Sequence, residues 1–451
     1  MKIAVVGCTH AGTAAVRQIL TEQPETQVEV YERRADISFL SCGIALYLEG
    51  LVERLESMFY ADAEELERLG PNVHVHLRHD VLSIDAAAHL ISVQDMADGH
   101  TYTEAYDKLI MATGSYPVVP PIQGVSQPRV LMCKNADDAT AIKLAAADAK
   151  TIAIVGGGYI GVELTEAFSH TGKSVLLING VHGLLSHYVD SEISDQVAAE
   201  LAQHGVVTRL NETALKFESD AERVYIRTDV AERTADIAVV CVGFQPMTEL
   251  LDDQVMMNTD HSIHVNDYMQ TSDPDIYAAG DAVAVHFNPT GTDAYTPLAT
   301  NAVRQGKLAG INVLGNRVRY MGTQATSALR LYDKTLACTG ITAARARKYG
   351  LNVDAVTVVE NYRPEFMPTT APITMRLVYD RDTRQILGAQ LFSAYDITQS
   401  ANLLSVMIQN RNTIDELAYV DMLFNPHYDK PWHYLNLLGQ AAVTQCDAKR
   451  N

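Results

Sequence analysis

The sequence has little positive charge. Its 451 residues contain 35 lysines and arginines against 55 aspartates and glutamates, which gives a formal net charge of −20. An acidic excess of this size argues against a protein that binds nucleic acid or an anionic membrane surface. It also means that any anionic ligand needs a local pocket of its own.

Cysteines are few and scattered. Their spacing matches neither a disulfide framework nor a zinc site, so we expect no bound metal and a reducing compartment, with the cytoplasm as the default. The six lie at Cys8, Cys42, Cys133, Cys241, Cys338 and Cys446.

Long apolar runs are also missing. Met1 leads directly into an apolar strand at Lys2–Val6 without a signal-peptide pattern, and we expect no membrane span. With 47% hydrophobic and 20% charged residues, the composition indicates a globular chain of two to four domains.

The N-terminal strand opens a nucleotide-binding βαβ unit. It is followed by Gly7-Cys8-Thr9-His10-Ala11-Gly12 and a predicted helix, and Glu32 ends the next strand, where an acid accepts ribose hydroxyls. Thr9 replaces the usual middle glycine of the fingerprint. His10 lies in a loop that should approach a pyrophosphate or a ring, although it could instead only cap the helix.

A second unit of this kind begins at Thr151–Val155. All three fingerprint glycines are present in Gly156-Gly157-Gly158-Tyr159-Ile160-Gly161, and the strand Ser174–Ile178 follows the predicted helix. Two such units indicate two dinucleotides, or one used twice.

The second unit lacks the acid that selects NADH. Neutral Asn179 stands where a carboxylate would repel the 2′-phosphate of NADPH. His182 and His187 could face that phosphate, and Gly180 and Gly183 could leave room for it. No arginine lies between Asn179 and Tyr188, and the alternative is a solvated turn whose histidines point outward. We expect NADPH to be used as well as NADH.

The apolar stretch Ser38–Tyr47 holds one thiol, Cys42, where a loop should become a helix. A helix N-terminus stabilises a thiolate, so we expect this thiol to be acidified. The next cysteine is Cys133, which leaves no resolving thiol nearby. Cys42 would therefore cycle alone, through a sulfenic acid or a mixed disulfide. The alternative is a buried structural cysteine.

Two later segments organise the rest of the chain. Four prolines between Pro117 and Pro128 indicate a crossover between domains. The segment Thr271–Asp281 predicts a short strand that ends in Asp281, whose carboxylate could bond a ribityl chain or merely cap a helix.

These motifs together resemble one family, the flavoprotein pyridine-nucleotide disulfide oxidoreductases, in the single-cysteine branch of NADH oxidases, NADH peroxidases and coenzyme A-disulfide reductases. The likeness covers essentially the whole chain. Besides the segments above, it rests on Tyr31-Glu32-Arg33, Ala112-Thr113-Gly114-Ser115, Cys241-Val242-Gly243-Phe244 and Asn361–Pro368.

The resemblance implies an α/β fold with two Rossmann-like dinucleotide-binding domains and a C-terminal α+β dimerisation domain. The predicted boundaries are 1–119 and 246–320 for a discontinuous FAD-binding domain, 120–245 for an NAD(P)-binding domain and 321–451 for the dimerisation domain. It also implies a homodimer, or a tetramer built from it.

The resemblance further implies two sets of cofactor-binding residues. For FAD these are Gly7, Thr9, His10, Ala11, Gly12, Glu32, Arg33, Ser41, Cys42, Val81, Ala112, Thr113, Gly114, Ser115, Lys134, Asp281 and Ala299. For NADH or NADPH they are Gly156, Gly158, Tyr159, Ile160, Gly161, Asn179, His182, Tyr188 and Gly243.

The implied activity is an NAD(P)H oxidase that reduces molecular oxygen to water. Cys42 would split a peroxide bond and become a sulfenic acid, and His10 would hold the thiolate or protonate the departing hydroxide. Coenzyme A-disulfide reductase and NADH peroxidase remain alternatives, since Tyr362 and Tyr419 lie where the reductase is similar. A non-enzymatic redox sensor is the third, and two complete nucleotide sites argue against it.

Overall fold

The structure is a computed structural model that describes residues 1–449. Within that range the α-helices are α1 (His10–Glu22), α2 (Ile44–Glu49), α3 (Ala63–Glu67), α4 (Ala136–Ala146), α5 (Tyr159–His170), α6 (Ser191–Gln203), α7 (Ala299–Asn312), α8 (Ala343–Lys348), α9 (Thr398–Gln409), α10 (Ile414–Tyr419) and α11 (Tyr434–Ala448).

The strands of the same range fall into seven sheets. They are β1 (Lys2–Val6), β2 (Gln27–Glu32), β3 (Val73–Leu77), β4 (His79–Asp85), β5 (Leu90–Asp95), β6 (Thr101–Ala105), β7 (Lys108–Met111), β8 (Ser115–Pro117), β9 (Val130–Met132), β10 (Thr151–Val155), β11 (Ser174–Asn179), β12 (Val207–Leu210), β13 (Ala214–Ser219), β14 (Val224–Thr228), β15 (Glu232–Ala235), β16 (Ile237–Val240), β17 (Phe244–Pro246), β18 (Ile263–His264), β19 (Ile276–Ala278), β20 (Val283–Phe287), β21 (Thr292–Tyr295), β22 (Ser327–Leu331), β23 (Lys334–Gly340), β24 (Val353–Asn361), β25 (Pro372–Asp380) and β26 (Ile386–Ser393).

The first sheet is parallel, with strand order β19-β7-β1-β2-β3. Its central strand β1 is apolar and buried from Ile3 to Val6 because both of its faces are covered. Helix α1 packs closely against α7, and β19 comes from a segment far along the chain. The carboxyl ends of β1, β2, β7 and β19 therefore meet at one edge, where ligands bind in sheets of this kind.

The second parallel sheet repeats this arrangement in the order β12-β11-β10-β16-β9. The chain passes between the two sheets twice, and the two crossings pair with each other as the antiparallel strands β8 and β17. This pairing holds the ligand-binding edges of the two sheets next to each other.

The C-terminal part is an antiparallel sheet in the order β22-β23-β26-β25-β24, covered by α9 and α11. Strand β26 is buried along its whole length between its neighbours. The α/β fold with two nucleotide-binding sheets and a C-terminal α+β unit is confirmed. No helix within residues 1–449 is long and apolar enough to cross a membrane.

Candidate active site

A large cavity lies where the edges of the two parallel sheets face each other. Its volume is about 1670 Å³, and its wall includes both glycine loops, Cys42, and parts of the crossings between the sheets. Sites for single small molecules measure roughly 300–1000 Å³. The cavity is therefore large enough for two dinucleotides in contact.

The fingerprint glycines shape this cavity in two ways. A Cβ on Gly12 would lie 2.0 Å from the carbonyl oxygen of Gly7, and one on Gly161 would lie 1.9 Å from that of Gly156. These glycines allow each helix to pack against its own loop. Gly158 has open space instead, so its backbone can approach a bound phosphate closely.

Cys42 is placed by a short helix packed against the second nucleotide-binding unit. It lies in a single 3-10 turn, Ser41–Gly43, that leads into α2. Ile44 and Leu48 of α2 share a hydrophobic core with residues of α4 and α5, and the ammonium of Lys143 donates to the last carbonyls of α2. The thiol is exposed on the cavity wall between the two units.

The prediction that the pKa of the Cys42 thiol is lowered is wrong, because the protein groups around it raise this pKa. Although Cys42 is exposed to the open cavity, the surrounding protein removes part of the hydration of its thiol, and this raises the pKa. A hydrogen bond from its own backbone N–H lowers the pKa, and the charge of Glu163 raises it further. Helix α2 has only six residues, so its dipole is small against the loss of hydration.

His10 lines the same cavity and forms a pair with Tyr60, which is not part of the cavity wall. Its Nδ1 lies 3.0 Å from the Tyr60 hydroxyl, and the two rings stack. Tyr60 donates its proton to the carbonyl of Thr9, so Nδ1 is the protonated nitrogen and Nε2 is left as an acceptor. Nε2 is buried without a hydrogen-bond partner among the described residues. Burial lowers the pKa of His10, partly offset by Asp281, so the ring is a neutral base near pH 7.

Glu163 is a site residue that the sequence analysis missed. It lies four residues after Tyr159 on α5, on the face that lines the cavity. Burial, together with the charge of Glu166, raises the pKa of Glu163 to about 7. The available signal was an acid two residues after the last fingerprint glycine, in the first turns of helix α5. Tyr60 had no local signal, since only the fold brings it to His10.

Glu163 should make stability depend on pH. The pKa of the Glu163 carboxyl is raised from 4.5 to about 7 in the folded protein, so its protonated form favours folding. This contribution to the free energy of unfolding is fully present below pH 4.5 and is lost as the pH rises through 7. We expect Glu163→Gln to stabilise the protein relative to wild type by roughly 2 kcal/mol more at pH 8 than at pH 5. Thermal unfolding of the purified protein at both pH values measures this, with exposed Glu53→Gln as the control. A difference that is the same at both pH values contradicts the assignment.

The predicted ribose acid Glu32 is buried at the end of β2. Its carboxylate accepts from the backbone N–H of Cys8 at 2.8 Å and of Arg34 at 3.0 Å, and burial raises its pKa. The remaining lone pairs of the two oxygens can still accept from ribose hydroxyls. Arg33 beside it forms a two-pronged ion pair with Asp80.

Asp281 belongs to a polar cluster on the cavity wall. Its carboxylate accepts from the hydroxyl of Ser115 at 2.7 Å and from the ammonium of Lys134 at 3.2 Å. The same ammonium lies 4.2 Å from the ring centre of Phe244. These four groups come from four separate segments of the chain. Three of them, Ser115, Lys134 and Asp281, were predicted to bind FAD.

Asn179 takes the same place in the second unit as Glu32 in the first, but its side chain holds the loop together. Its Oδ1 accepts from the N–H of Gly157 at 3.0 Å, and its Nδ2 donates to the carbonyls of Val181 and Gly183. Only an amide can make these two donor contacts, because a carboxylate at this position would place a negative oxygen against the two carbonyls.

The space expected from Gly180 and Gly183 is not there. A Cβ on Gly180 would lie 3.0 Å from the Thr213 hydroxyl, and one on Gly183 would lie 3.1 Å from that of Ser194. Both glycines therefore serve packing within the protein, and room for a phosphate has to come from elsewhere in the loop.

Most predicted site residues line this one cavity. The four that do not are Gly12, Gly156, Gly161 and His182. The three glycines lie at helix–loop contacts, and the ring of His182 is exposed, 3.4 Å from the Asn211 amide. No group of three or more histidines, cysteines and acids that could hold a metal occurs within residues 1–449.

The cavity fits a flavin dinucleotide beside a nicotinamide nucleotide. The unpartnered Nε2 of His10 is the kind of buried polar atom that a bound group completes, and the open space at Gly114 and Gly158 is what a close ligand requires. Helix N-termini at both glycine loops suit two pyrophosphates.

Residues 1–306 match the family model described as pyridine nucleotide-disulphide oxidoreductase, and residues 326–434 match the model of that family's dimerisation domain. The chain belongs to the pyridine nucleotide-disulphide oxidoreductase family, a class of flavoprotein oxidoreductases. This agrees with the family inferred from the motifs.

Among the proteins that this chain is similar to are several NADH oxidases. The chain is 49% identical to an NADH oxidase of Enterococcus faecalis over 98% of this chain and 99% of that protein. It superposes on a water-forming NADH oxidase from Lactobacillus brevis bound to NADH with a TM-score of 0.98, at 50% identity and full coverage of both chains. It is equally similar to an engineered form of that enzyme described as a water-forming NADPH oxidase, bound to NADPH.

Proposed function

We propose that this protein is an FAD-dependent NAD(P)H oxidase that reduces oxygen by four electrons to water. The observation that carries the proposal is the exposed thiol of Cys42 in one cavity with a neutral imidazole base and two dinucleotide loops. The three other cysteines of the cavity wall, Cys8, Cys133 and Cys241, are buried or half-buried. The identity to NADH oxidases over the whole chain supports it. When bound, FAD would accept hydride from the nicotinamide and pass electrons to oxygen.

The chain's own residues account for the step that sets the product. His10 Nε2 takes the proton of Cys42, and the thiolate then attacks hydrogen peroxide, forming an S–O bond as the O–O bond breaks. The departing hydroxide takes the proton back from His10 and leaves as water. Two electrons from a second nicotinamide nucleotide and two protons return the sulfenic acid to the thiol and release the second water, so the next cycle starts from the same state.

The stoichiometry of the purified enzyme tests this proposal. Four-electron reduction consumes one oxygen for every two NADH oxidised, and adding catalase changes nothing. A consumption of one oxygen per NADH, halved by catalase, would identify a peroxide-forming oxidase instead.

The two other enzymatic readings have separate signatures. NADH oxidation that needs added peroxide and consumes no oxygen would indicate an NADH peroxidase. Release of free thiol from coenzyme A disulfide would indicate the coenzyme A-disulfide reductase, to which this chain is similar at Tyr362 and Tyr419. Tyr362 is stacked on Tyr395 at 3.9 Å between ring centres, and Tyr419 is exposed.

The role of His10 can be tested by replacement. We expect His10→Gln to keep FAD bound but to turn over roughly tenfold or more slowly, because general base catalysis contributes at least that much. The wild-type rate should fall as the pH drops through the lowered pKa of His10, since only the neutral ring accepts a proton. Steady-state rates from pH 4 to 9 measure both effects. Unchanged profiles of kcat and kcat/KM in the variant would reduce His10 to a structural residue.

The cofactor preference follows from the neutral residue at the end of β11. We expect NADPH to be used within about tenfold of NADH in kcat/KM, or roughly 1.4 kcal/mol. Asn179→Asp should lower NADPH use more than NADH use, because a carboxylate repels the 2′-phosphate. Steady-state kinetics with both cofactors measure this, and a wild-type preference of a thousandfold for NADH contradicts it.

We also propose the assembly as a cytoplasmic homodimer with FAD held by 1–119 and 246–320, the nicotinamide nucleotide by 120–245, and the dimer contact by 321–451. The match of 326–434 to the dimerisation-domain model supports the last of these. Several large apolar side chains of this part are exposed in the single chain, among them Phe366, Leu423 and Trp432. Sedimentation of the purified protein tests the dimer.

A further inference from the structure

The C-terminal part of the chain places a cation beside the nicotinamide-nucleotide side of the cavity. Arg345 lies on α8, and its Nη1 donates to the backbone carbonyl of His187 at 3.2 Å. His187 and its neighbour Ser186 belong to the loop after β11 and line the cavity. Sequence reasoning found no arginine in this loop because the arginine comes from 158 residues further along the chain.

Helix α8 directs two of its three cations to this loop. Arg345 and Lys348 are three residues apart and share one helix face, and both lie near enough to His187 to lower its pKa, after burial of the ring. Arg347 is two residues from Arg345, roughly 200° around the helix, and points elsewhere. Arg347 therefore provides a matched control on the same helix.

Both sides of this contact are fixed by hydrogen bonds. The backbone N–H groups of Ala343 and Ala344, at the start of α8, donate to the carboxylate of Asp190 at 3.1 Å. The N–H of Leu185 donates to the carbonyl of Gly157 in the fingerprint loop. The position of the Arg345 guanidinium is thus fixed relative to the loop that follows Asn179.

The positive charge of Arg345 is not neutralised by an ion pair with a neighbouring acid. The nearby carboxylates of Asp190 and Glu192 both pair with Arg376. Within residues 1–449, Arg345 forms no ion pair with a carboxylate. A guanidinium without a carboxylate partner can bind a phosphate through two parallel hydrogen bonds.

We propose that Arg345 determines cofactor specificity by binding the 2′-phosphate of NADPH together with the hydroxyl of Ser186. The adenosine ribose of a dinucleotide binds at the carboxyl end of the second strand of such a unit, which here is Asn179. The cavity wall runs from Asn179 through Gly183 and Ser186 to His187. The guanidinium of Arg345 is not part of this wall but lies next to it, on the backbone carbonyl of His187. This inference rests on the NADPH use proposed above and names the group responsible for it.

Kinetics of the complete enzyme give the first test. We expect Arg345→Gln to lower the ratio of kcat/KM for NADPH to that for NADH by about tenfold, while Arg345→Lys keeps most of it and Arg347→Gln leaves it unchanged. If Arg345 only anchors the His187 loop, both cofactors will weaken equally and the ratio will stay constant, which overturns the proposal.

Binding without turnover separates this inference from the oxidase chemistry. Calorimetry of the FAD-loaded enzyme with 2′,5′-ADP and with 5′-ADP reports the 2′-phosphate contact alone. We expect Arg345→Gln to weaken 2′,5′-ADP at least fivefold more than 5′-ADP. Equal weakening, or none, refutes the role of Arg345 even if the enzyme forms water. Conversely, a peroxide-forming enzyme with the expected binding difference would refute the proposed function alone.

Discussion

Cys42→Ser is expected to convert the enzyme from a water-forming to a peroxide-forming oxidase. The hydride path and both dinucleotide sites do not require the sulfur, so NADH oxidation should continue. Cleavage of the peroxide bond does require it, because a serine hydroxyl is a poor nucleophile at neutral pH. The oxygen consumed per NADH should therefore rise twofold, and catalase should return half of it.

The control for this experiment is Cys446→Ser, since Cys446 is buried in α11 and is not part of the cavity wall. That variant should remain water-forming. If Cys42→Ser also makes only water, Cys42 is not the group that splits peroxide, and the sulfenic acid cycle has to be abandoned. Trapping of the oxidised wild-type enzyme with dimedone, followed by mass spectrometry, would report the sulfenic acid directly.

Asp190→Ala is expected to cause the largest loss of stability, roughly 3–5 kcal/mol, as when one partner of a buried ion pair is removed. Asp190 is buried and accepts from Arg376 and Gln390, both at 2.9 Å, and from the first N–H groups of α8. Burial alone would raise its pKa, but the hydrogen bonds from Gln390 and Arg376 hold it below its usual range. The variant leaves the guanidinium and two backbone donors poorly satisfied.

Urea unfolding of the purified protein measures this loss through the midpoint and slope of the transition. The exposed Asp148→Ala is the matched control and should change the midpoint very little. Because Asp190 joins the second nucleotide-binding unit to the C-terminal sheet, the loss should appear in the unfolding of both. A midpoint that stays within the error of wild type would mean that this contact contributes nothing net.

Local sequence patterns were sufficient for the fold class, and most of the site residues predicted from them line one cavity. Buried parallel strands followed by glycine loops and helices predicted the two βαβ units, because a fingerprint requires residues within one short segment. Cys42 was found in the same way, from its place at the junction of a loop and a helix. The acidification of its thiol was wrong because burial and the charge of Glu163 on α5 outweigh the short helix α2.

The amino-acid sequence by itself determined which chemical groups this protein possesses: one thiol without a resolving partner, a histidine in the first glycine loop and a neutral Asn179 in the second unit. Tertiary structure alone decided which groups meet. It orients His10 through Tyr60, places Glu163 by Cys42, and brings Arg345 to His187 across 158 residues. The physical reason is that periodicity and spacing report only neighbours along the chain, whereas pKa values, tautomers and ion pairs depend on neighbours in space.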